Sequence, residues 1–220
     1  MIVHVGSTNT KTAVDLAKHA ESVGSSHISS VPPYYYKHNK YEIIVYFESL
    51  LKAVNIPVYV YNNPKTVGYA VSPELLNELA NIGIRGVKYS SFDIMVLNDY
   101  IRKVKKENFD VVLGTEAMFL PSSVLGVKAF IPGIGNAFPE LLVELYNACM
   151  NGEYSEARKI QTKVLFLRDT MHITGASIPA VYEMLKFRNV NAGLPRKPCL
   201  PLSKEMSNKI YKRLKETGVI

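Results

Sequence analysis

The sequence predicts an α/β fold in which short strands alternate with helices along most of the chain. Short runs rich in β-branched and aromatic residues recur between turn residues, and the stretches between them repeat apolar residues with the 3.6-residue period of a helix. Strand, helix and strand at this spacing are joined by right-handed crossovers, so the pattern predicts a parallel sheet covered by helices. Six strands are predicted, at residues 2–5, 27–31, 58–61, 84–88, 110–113 and 127–131.

The first predicted helix, residues 10–23, shows the helical pattern most clearly. Gly24 follows it, as glycine commonly does at a helix C-terminus. Comparable helices are predicted after the next three strands, at residues 41–54, 73–80 and 94–106. The apolar face of the first helix consists of Ala13, Leu16, Ala17, Ala20 and Val23.

The pattern changes after residue 131, where helices are predicted with no strand between them. A linker at residues 189–202 carries Gly193 and three prolines, so it is expected to be extended. We expect a partial barrel over residues 1–140 and a C-terminal helical layer over residues 141–220, packed on it as one structural domain. The C-terminal helices are predicted at residues 139–150, 154–167, 179–187 and 203–217.

Six βα units fit two architectures, an open doubly wound sheet or a (β/α)8 barrel from which two units are missing. A doubly wound sheet that binds a dinucleotide opens its first helix with the motif GxGxxG. Residues 6–10, Gly-Ser-Thr-Asn-Thr, do not supply it. The pattern alone leaves the two architectures open.

The composition is that of a globular protein, since 47% of the 220 residues are hydrophobic and 20% are charged. No apolar run approaches the roughly 18 residues of a membrane span, and residues 1–6 do not resemble a signal peptide. The two cysteines provide neither a disulfide framework nor a zinc site. The net charge of +7 is spread over helical faces without a nucleic-acid-binding motif. We expect a cytoplasmic protein that binds neither nucleic acid nor membrane.

Two residues that could carry chemistry stand where predicted strands end. Tyr61 ends the third strand and Lys88 the fourth, and active sites form at the carboxyl ends of strands in both architectures. Partial desolvation of a lysine there would lower its pKa, as a Schiff-base amine requires. Taken alone, the two residues also fit a lysine and a tyrosine that simply reach solvent after their strands.

Five short segments occur in order along the chain: Pro33-Tyr34-Tyr35, Tyr61-Asn62-Asn63-Pro64 with Gly68, Gly86-Val87-Lys88, Gly114-Thr115-Glu116 and Gly133-Ile134-Gly135-Asn136. Each is weak singly, but their order and spacing resemble the N-acetylneuraminate lyase and dihydrodipicolinate synthase family of pyruvate-dependent class I aldolases. The resemblance covers nearly the whole chain. The first two βα units of the family, including the loop that binds the substrate carboxylate, have no counterpart, because Met1 falls just before the third strand.

The resemblance implies a (β/α)8-type barrel that is N-terminally incomplete and carries a C-terminal helical extension. It implies that Lys88 forms an imine with the keto carbon of pyruvate or another 2-keto acid and that Tyr61 is the general acid/base. Tyr35 would contribute to a proton relay, in some members across a subunit interface, so a homo-oligomer is expected. Because the imine is itself the electron sink, no metal or organic cofactor is expected. The expected substrates are pyruvate and an aldehyde.

The positions implied in substrate binding favour a 2-keto-3-deoxy sugar acid or an N-acetylneuraminate-like substrate. Synthases carry an arginine after the tyrosine motif, where this sequence has Thr66, and a neutral side chain cannot replace a bidentate guanidinium. Ser90 matches the hydroxyl residue that lyases place two positions after the lysine. Thr115 and Glu116 would contact the sugar hydroxyls, and Ile131 would offer backbone groups.

Two other functions stay open. One is dihydrodipicolinate synthase, which Thr66 disfavours, and the other is a shortened, non-catalytic barrel subunit, which the missing carboxylate loop favours. The glycines of residues 133–135 predict a tight turn at the barrel rim rather than a phosphate-binding loop, since no GK[ST] motif follows. The five histidines lack metal-binding spacing, so surface or packing roles are expected for them.

Overall fold

The computed structural model describes all 220 residues, and they form two compact units. The first unit contains Met1–Gly114 and Val127–Ala129. The second contains Thr115–Gly126 and Phe130–Ile220.

The first unit is built on a parallel sheet of five strands. Each strand pairs with the next one along the chain, in the order β1-β2-β3-β4-β5. An open doubly wound sheet reverses its strand order, whereas a (β/α)8 barrel adds its strands consecutively. The order therefore favours the barrel type. The strands are β1 (Ile2–His4), β2 (His27–Ser30), β3 (Val58–Asn62), β4 (Gly86–Tyr89) and β5 (Asp110–Leu113).

The sixth predicted strand, residues 127–131, is wrong. The segment has one backbone hydrogen bond to β5, from the N–H of Leu113 to the carbonyl of Ala129 at 2.9 Å, but no strand forms. Lys128, Ala129 and Ile131 are exposed, so the run buries little apolar surface in spite of its hydrophobic composition. The described sheet therefore has five strands rather than six.

The two faces of the sheet differ in burial. Side chains alternate between the faces along each strand. One face carries Val58 and Val60 on β3 and Val87 and Tyr89 on β4, all of them buried. The other face carries Tyr61, which is half-buried and lies at the carboxyl end of β3.

The helices of the first unit begin at residues that can cap them. Asn9 accepts from the N–H of Thr12, and Asn39 and Glu42 form a capping box. The short helix α3 was not predicted, although Pro64 is suited to a first helical position. The helices are α1 (Thr10–Ser22), α2 (Lys40–Ala53), α3 (Pro64–Val67), α4 (Pro73–Ile82) and α5 (Ile94–Lys103).

The regular elements of the second unit are all helices. The change of period after residue 131 predicts those that follow it, whereas the helix at residues 119–124 was not predicted. The four long C-terminal helices are confirmed, with α8 extending five residues beyond its predicted end at residue 167. Two 3-10 turns, Glu116–Met118 and Ile134–Asn136, were not predicted. The helices are α6 (Phe119–Val124), α7 (Pro139–Met150), α8 (Tyr154–His172), α9 (Ser177–Phe187) and α10 (Lys204–Thr217).

None of these helices combines the length and the hydropathy that crossing a membrane requires.

Candidate active site

Lys88 and Tyr61 lie side by side on adjacent strands. They are direct partners in the β3–β4 register, so their side chains share the less buried face of the sheet. Nζ of Lys88 lies 4.3 Å from the centroid of the Tyr61 ring. A cation at this distance over an aromatic face is held by the ring quadrupole. The sheet thus fixes an amine and a phenol within reach of one small molecule.

The hydroxyl of Tyr61 is held by two donors from the loops that follow β3 and β4. Nδ2 of Asn63 donates to it at 3.3 Å, and Oγ of Ser90 donates at 3.5 Å. Because both contacts use the lone pairs of the phenol oxygen, its own proton is left to be given to a substrate atom. Ser90, which was predicted to bind substrate, lies beside Tyr61, and its contact with a substrate stays a prediction. Asn63 belongs to the Tyr61-Asn62-Asn63-Pro64 segment, but the sequence did not predict that its side chain donates to the Tyr61 hydroxyl.

Gly114, which directly follows β5, makes room for Ser90. A methyl group at residue 114 would lie 1.9 Å from Oγ of Ser90 and 2.9 Å from the carbonyl oxygen of Tyr89. The N–H of Gly114 also donates to that carbonyl at 2.6 Å. Only glycine fits this close approach of two strand ends, which accounts for the glycine of the Gly114-Thr115-Glu116 segment.

We expect Gly114→Ala to lower the free energy of unfolding by about 1–3 kcal/mol, because the added carbon forces Ser90 and the Tyr89 carbonyl apart. Thermal and denaturant unfolding of both proteins would measure the difference. Gly133→Ala is a matched control, since a methyl group there would meet only Met171, at 3.5 Å. Equal stability of the Gly114 and Gly133 variants would contradict the packing argument.

A buried hydrogen-bond network anchors the loop that follows β3. Asn62 donates from Nδ2 to the hydroxyl of Tyr100 at 2.8 Å and accepts from the N–H of Val71 at 3.1 Å. The Tyr100 hydroxyl in turn donates to the carbonyl of Val71 at 2.5 Å. Burial raises the pKa of Tyr100, so its hydroxyl remains a donor at neutral pH. The network holds Val71, near the far end of the loop, beside Asn62 at the end of β3.

Thr66 lies on this loop, within α3, and is exposed. Its hydroxyl donates to the carbonyl of Asn63 at 3.1 Å. Neighbouring Lys65 is also exposed. The loop therefore presents a neutral side chain at residue 66, next to one lysine.

Tyr35 follows β2 and lies at the surface. It is 83% exposed, its backbone has a positive φ of 85°, and its ring contacts that of Tyr36 edge-on at 5.0 Å. A non-glycine residue in this conformation is uncommon. The part of Tyr35 in a proton relay stays a prediction.

The remaining predicted site residues belong to the second unit. Thr115 caps the first 3-10 turn by accepting from the N–H of Ala117 at 3.2 Å. Glu116 is 3% exposed, and its carboxylate accepts from the N–H of Gly133 at 3.0 Å and pairs with Nε of Arg168 at 3.3 Å. Ile131 is 41% exposed. The carboxylate of Glu116 therefore stabilises the turn at Gly133 through a hydrogen bond that the sequence did not predict.

His4, for which a packing or surface role was expected, also lies beside Tyr61. Their ring centroids are 6.1 Å apart, with the planes at 84°. Alternation along β1 alone does not reveal this, because the shared face depends on the register between strands, in which His4 pairs with Ser29 and Ser29 with Tyr59.

The chain matches known proteins over almost its full length. The model of the dihydrodipicolinate synthetase family matches residues 1–217. The 4-hydroxy-tetrahydrodipicolinate synthase of Methanococcoides burtonii is 31% identical over 221 residues, which cover 100% of this chain and 76% of that protein. The enzyme of the same name from Archaeoglobus fulgidus is 33% identical, covering 98% of this chain and 74% of that protein.

Solved structures agree with this relationship. The dihydrodipicolinate synthase of Aquifex aeolicus matches with a TM-score of 0.90 and 27% identity, covering 99% of this chain and 74% of that one. The KD(P)GA of T. tenax matches with a TM-score of 0.90 and 31% identity, covering 99% and 76%. The matching structures are (β/α)8 barrels with a C-terminal helical part. The chain therefore belongs to the dihydrodipicolinate synthetase family, whose members are Schiff-base, pyruvate-dependent aldolases and lyases.

Proposed function

We propose that this chain cleaves, and in reverse forms, the bond between pyruvate and an aldehyde in a 2-keto-3-deoxy sugar acid. The observation that carries the proposal is the pairing of Lys88 with Tyr61, whose ring lies 4.3 Å from the lysine amine and whose hydroxyl is held by two donors. An amine can form an imine with a 2-keto acid, and a phenol with an unused proton can exchange protons with it.

The reaction would proceed through an imine and an enamine on Lys88. After the ammonium releases a proton to solvent, the neutral amine of Lys88 attacks the keto carbon, and the phenol of Tyr61 gives its proton to the departing hydroxyl, so that water leaves and a protonated imine and a phenolate remain. The phenolate then removes the proton from the hydroxyl on C4, the C3–C4 bond breaks, and its electron pair forms an enamine as the aldehyde leaves. The proton on Tyr61 next passes to C3 of the enamine, which restores the protonated imine. Hydrolysis releases pyruvate, frees the amine of Lys88 and returns a proton to Tyr61.

The proposed choice of substrate rests on charge at the loop after β3. Aspartate semialdehyde brings a second carboxylate to the far end of the site, and a carboxylate taken from water is costly unless it is well paired. Thr66 offers no charge, and its hydroxyl is already bonded to the carbonyl of Asn63. A sugar tail needs only hydroxyl partners. Ser90 in the first unit is one candidate, and Thr115 and Glu116 remain proposed contacts.

The second candidate function is 4-hydroxy-tetrahydrodipicolinate synthase. It is favoured by the names of the curated relatives, which are 31% and 33% identical to this chain. Among the solved structures, the similar 2-keto-3-deoxygluconate aldolase of Sulfolobus solfataricus, with a TM-score of 0.90 and 26% identity, favours the sugar acid. Release of pyruvate from 2-keto-3-deoxygluconate, compared with condensation of pyruvate and aspartate semialdehyde, tests one function against the other. A chain that does neither would support the non-catalytic alternative.

We expect Thr66→Arg to lower kcat/KM for 2-keto-3-deoxygluconate by about 10-fold and to raise it for aspartate semialdehyde, because a guanidinium supplies the missing partner for a carboxylate. Thr66→Gln is the matched control, since it adds length without charge. Steady-state kinetics with both substrates measures the change. A preference for the semialdehyde with Thr66 intact would show that Lys65 or another cation performs this task.

Tyr35 and the oligomeric state complete the proposal. We propose that the chain forms a homo-oligomer in which Tyr35 serves a proton relay across a subunit interface. Its high exposure and unusual backbone conformation support this role, because both fit a side chain presented outward.

A further inference from the structure

His4 is the titratable side chain beside the Lys88–Tyr61 pair for which the reaction above has no use. It ends β1, on the same face of the sheet as Tyr61 and Lys88. Its ring lies edge-on to the Tyr61 ring, with the centroids 6.1 Å apart. Tyr61 is therefore contacted both by the imidazole of His4 and by the amine of Lys88.

The ring of His4 is held in a defined orientation. The backbone N–H of Val31 donates to Nε2 at 3.3 Å. The backbone of Gly6 packs against the same edge, where a methyl group would lie 2.7 Å from Cε1 and 2.9 Å from Nε2. Since Nε2 accepts a hydrogen bond, the neutral ring carries its proton on Nδ1.

This orientation is available only to the neutral imidazole. Protonation would place an N–H on both ring nitrogens, so Nε2 would point a donor at the N–H of Val31. It would also add a positive charge near Lys88, whose imine must carry a positive charge to accept the electron pair. The titratable groups that face His4 are Lys88 from β4 and Tyr61 from β3, while Val31, the residue that follows β2, contributes its backbone N–H.

We propose that His4 is a positioning residue, whose neutral ring, anchored on Val31, holds Tyr61 beside Lys88 and whose protonation releases this arrangement. The proposal rests on the proposed function for its effect on turnover. The electrostatics agree with it. Although part of the ring is open to solvent at the edge strand, burial of the rest lowers the pKa of His4, and the charge of Lys88 lowers it further.

The lowered pKa of His4 sets the direction of the pH effect. Because this pKa lies below the ordinary value of about 6.5, His4 is neutral through the neutral range. The arrangement is present above that pKa and is lost as the pH falls through it. We therefore expect an acid limb in the pH profile of kcat that belongs to His4.

Two variants separate the acceptor from the charge. Glutamine can accept from the N–H of Val31, can place its planar amide against the Tyr61 ring in place of the imidazole, and does not titrate, so His4→Gln should keep kcat at pH 8 within about 3-fold and remove the acid limb. Leucine leaves the N–H of Val31 unpaired, so His4→Leu should lower kcat at all pH values by about 10- to 100-fold, the range that a small misplacement costs. Borohydride trapping of pyruvate on Lys88 should persist in both. An acid limb that survives in His4→Gln, or equal kcat in the two variants, would overturn the proposal.

An NMR titration tests the same contact without activity. The His4 resonance, assigned by its loss in His4→Gln, should titrate at a higher pKa in Lys88→Met than in the unsubstituted chain, because one positive charge is gone. If the unsubstituted chain forms no pyruvate adduct, the proposed function fails, and this titration alone decides the His4 proposal. An unchanged pKa would then overturn it.

Discussion

We expect Lys88→Arg to abolish the covalent labelling of the chain by pyruvate and borohydride, and with it all aldol cleavage. Borohydride reduces an imine to a stable secondary amine, so it marks the lysine that attacks the keto carbon. Arginine keeps the positive charge beside Tyr61 but remains protonated and cannot form the imine. Peptide mass spectrometry should find one pyruvyl group on the peptide that contains Lys88, and none in the variant.

Lys106 provides the matched control for this experiment. It is also half-buried, but its ammonium donates to the carbonyls of Ala80 and Ile84, at 3.0 and 3.2 Å, and not to the site. Lys106→Arg should therefore be labelled on Lys88 like the unsubstituted chain. Labelling on Lys106 or on another lysine would refute the assignment of Lys88, whereas an unlabelled unsubstituted chain would refute the proposed function as a whole.

The pairing of Lys88 with Tyr61 is the part of the site that follows most directly from the sequence. Consecutive βα units place neighbouring strands side by side, with their carboxyl ends at one edge of the sheet. Tyr61 and Lys88 each stand near the end of such a run. The order of the strands was therefore enough to predict that the two residues lie close together. The same reasoning located the carboxyl ends of all five strands to within one residue, because β-branched runs bounded by turn residues mark them clearly.

The parts that failed depend on burial and on loop geometry. Residues 127–131 have the composition of a strand, but the exposure of Lys128 and Ile131 shows that composition alone does not decide pairing. The role of Asn63 depends on how the loop into α3 turns its amide back toward Tyr61. His4 required the register between strands, and without it a lone histidine gives no sign of which face it occupies.

Tyr61→Phe is expected to lower kcat by about 10²- to 10⁴-fold while imine formation on Lys88 continues, the range associated with loss of a general acid/base. Phenylalanine keeps the ring that Lys88 and His4 contact, so the amine should stay in place, but no atom then removes the proton from the C4 hydroxyl. Single-turnover trapping measures the imine and steady-state kinetics measures the cleavage.

Tyr59→Phe is the control on the same strand. The hydroxyl of Tyr59 donates to Asp110 at 2.5 Å, and burial together with that carboxylate raises the pKa of Tyr59 to about 12. Tyr59→Phe should therefore lower the free energy of unfolding by about 1 kcal/mol with little change in kcat. A Tyr61→Phe enzyme with unchanged turnover would refute the role of the phenol.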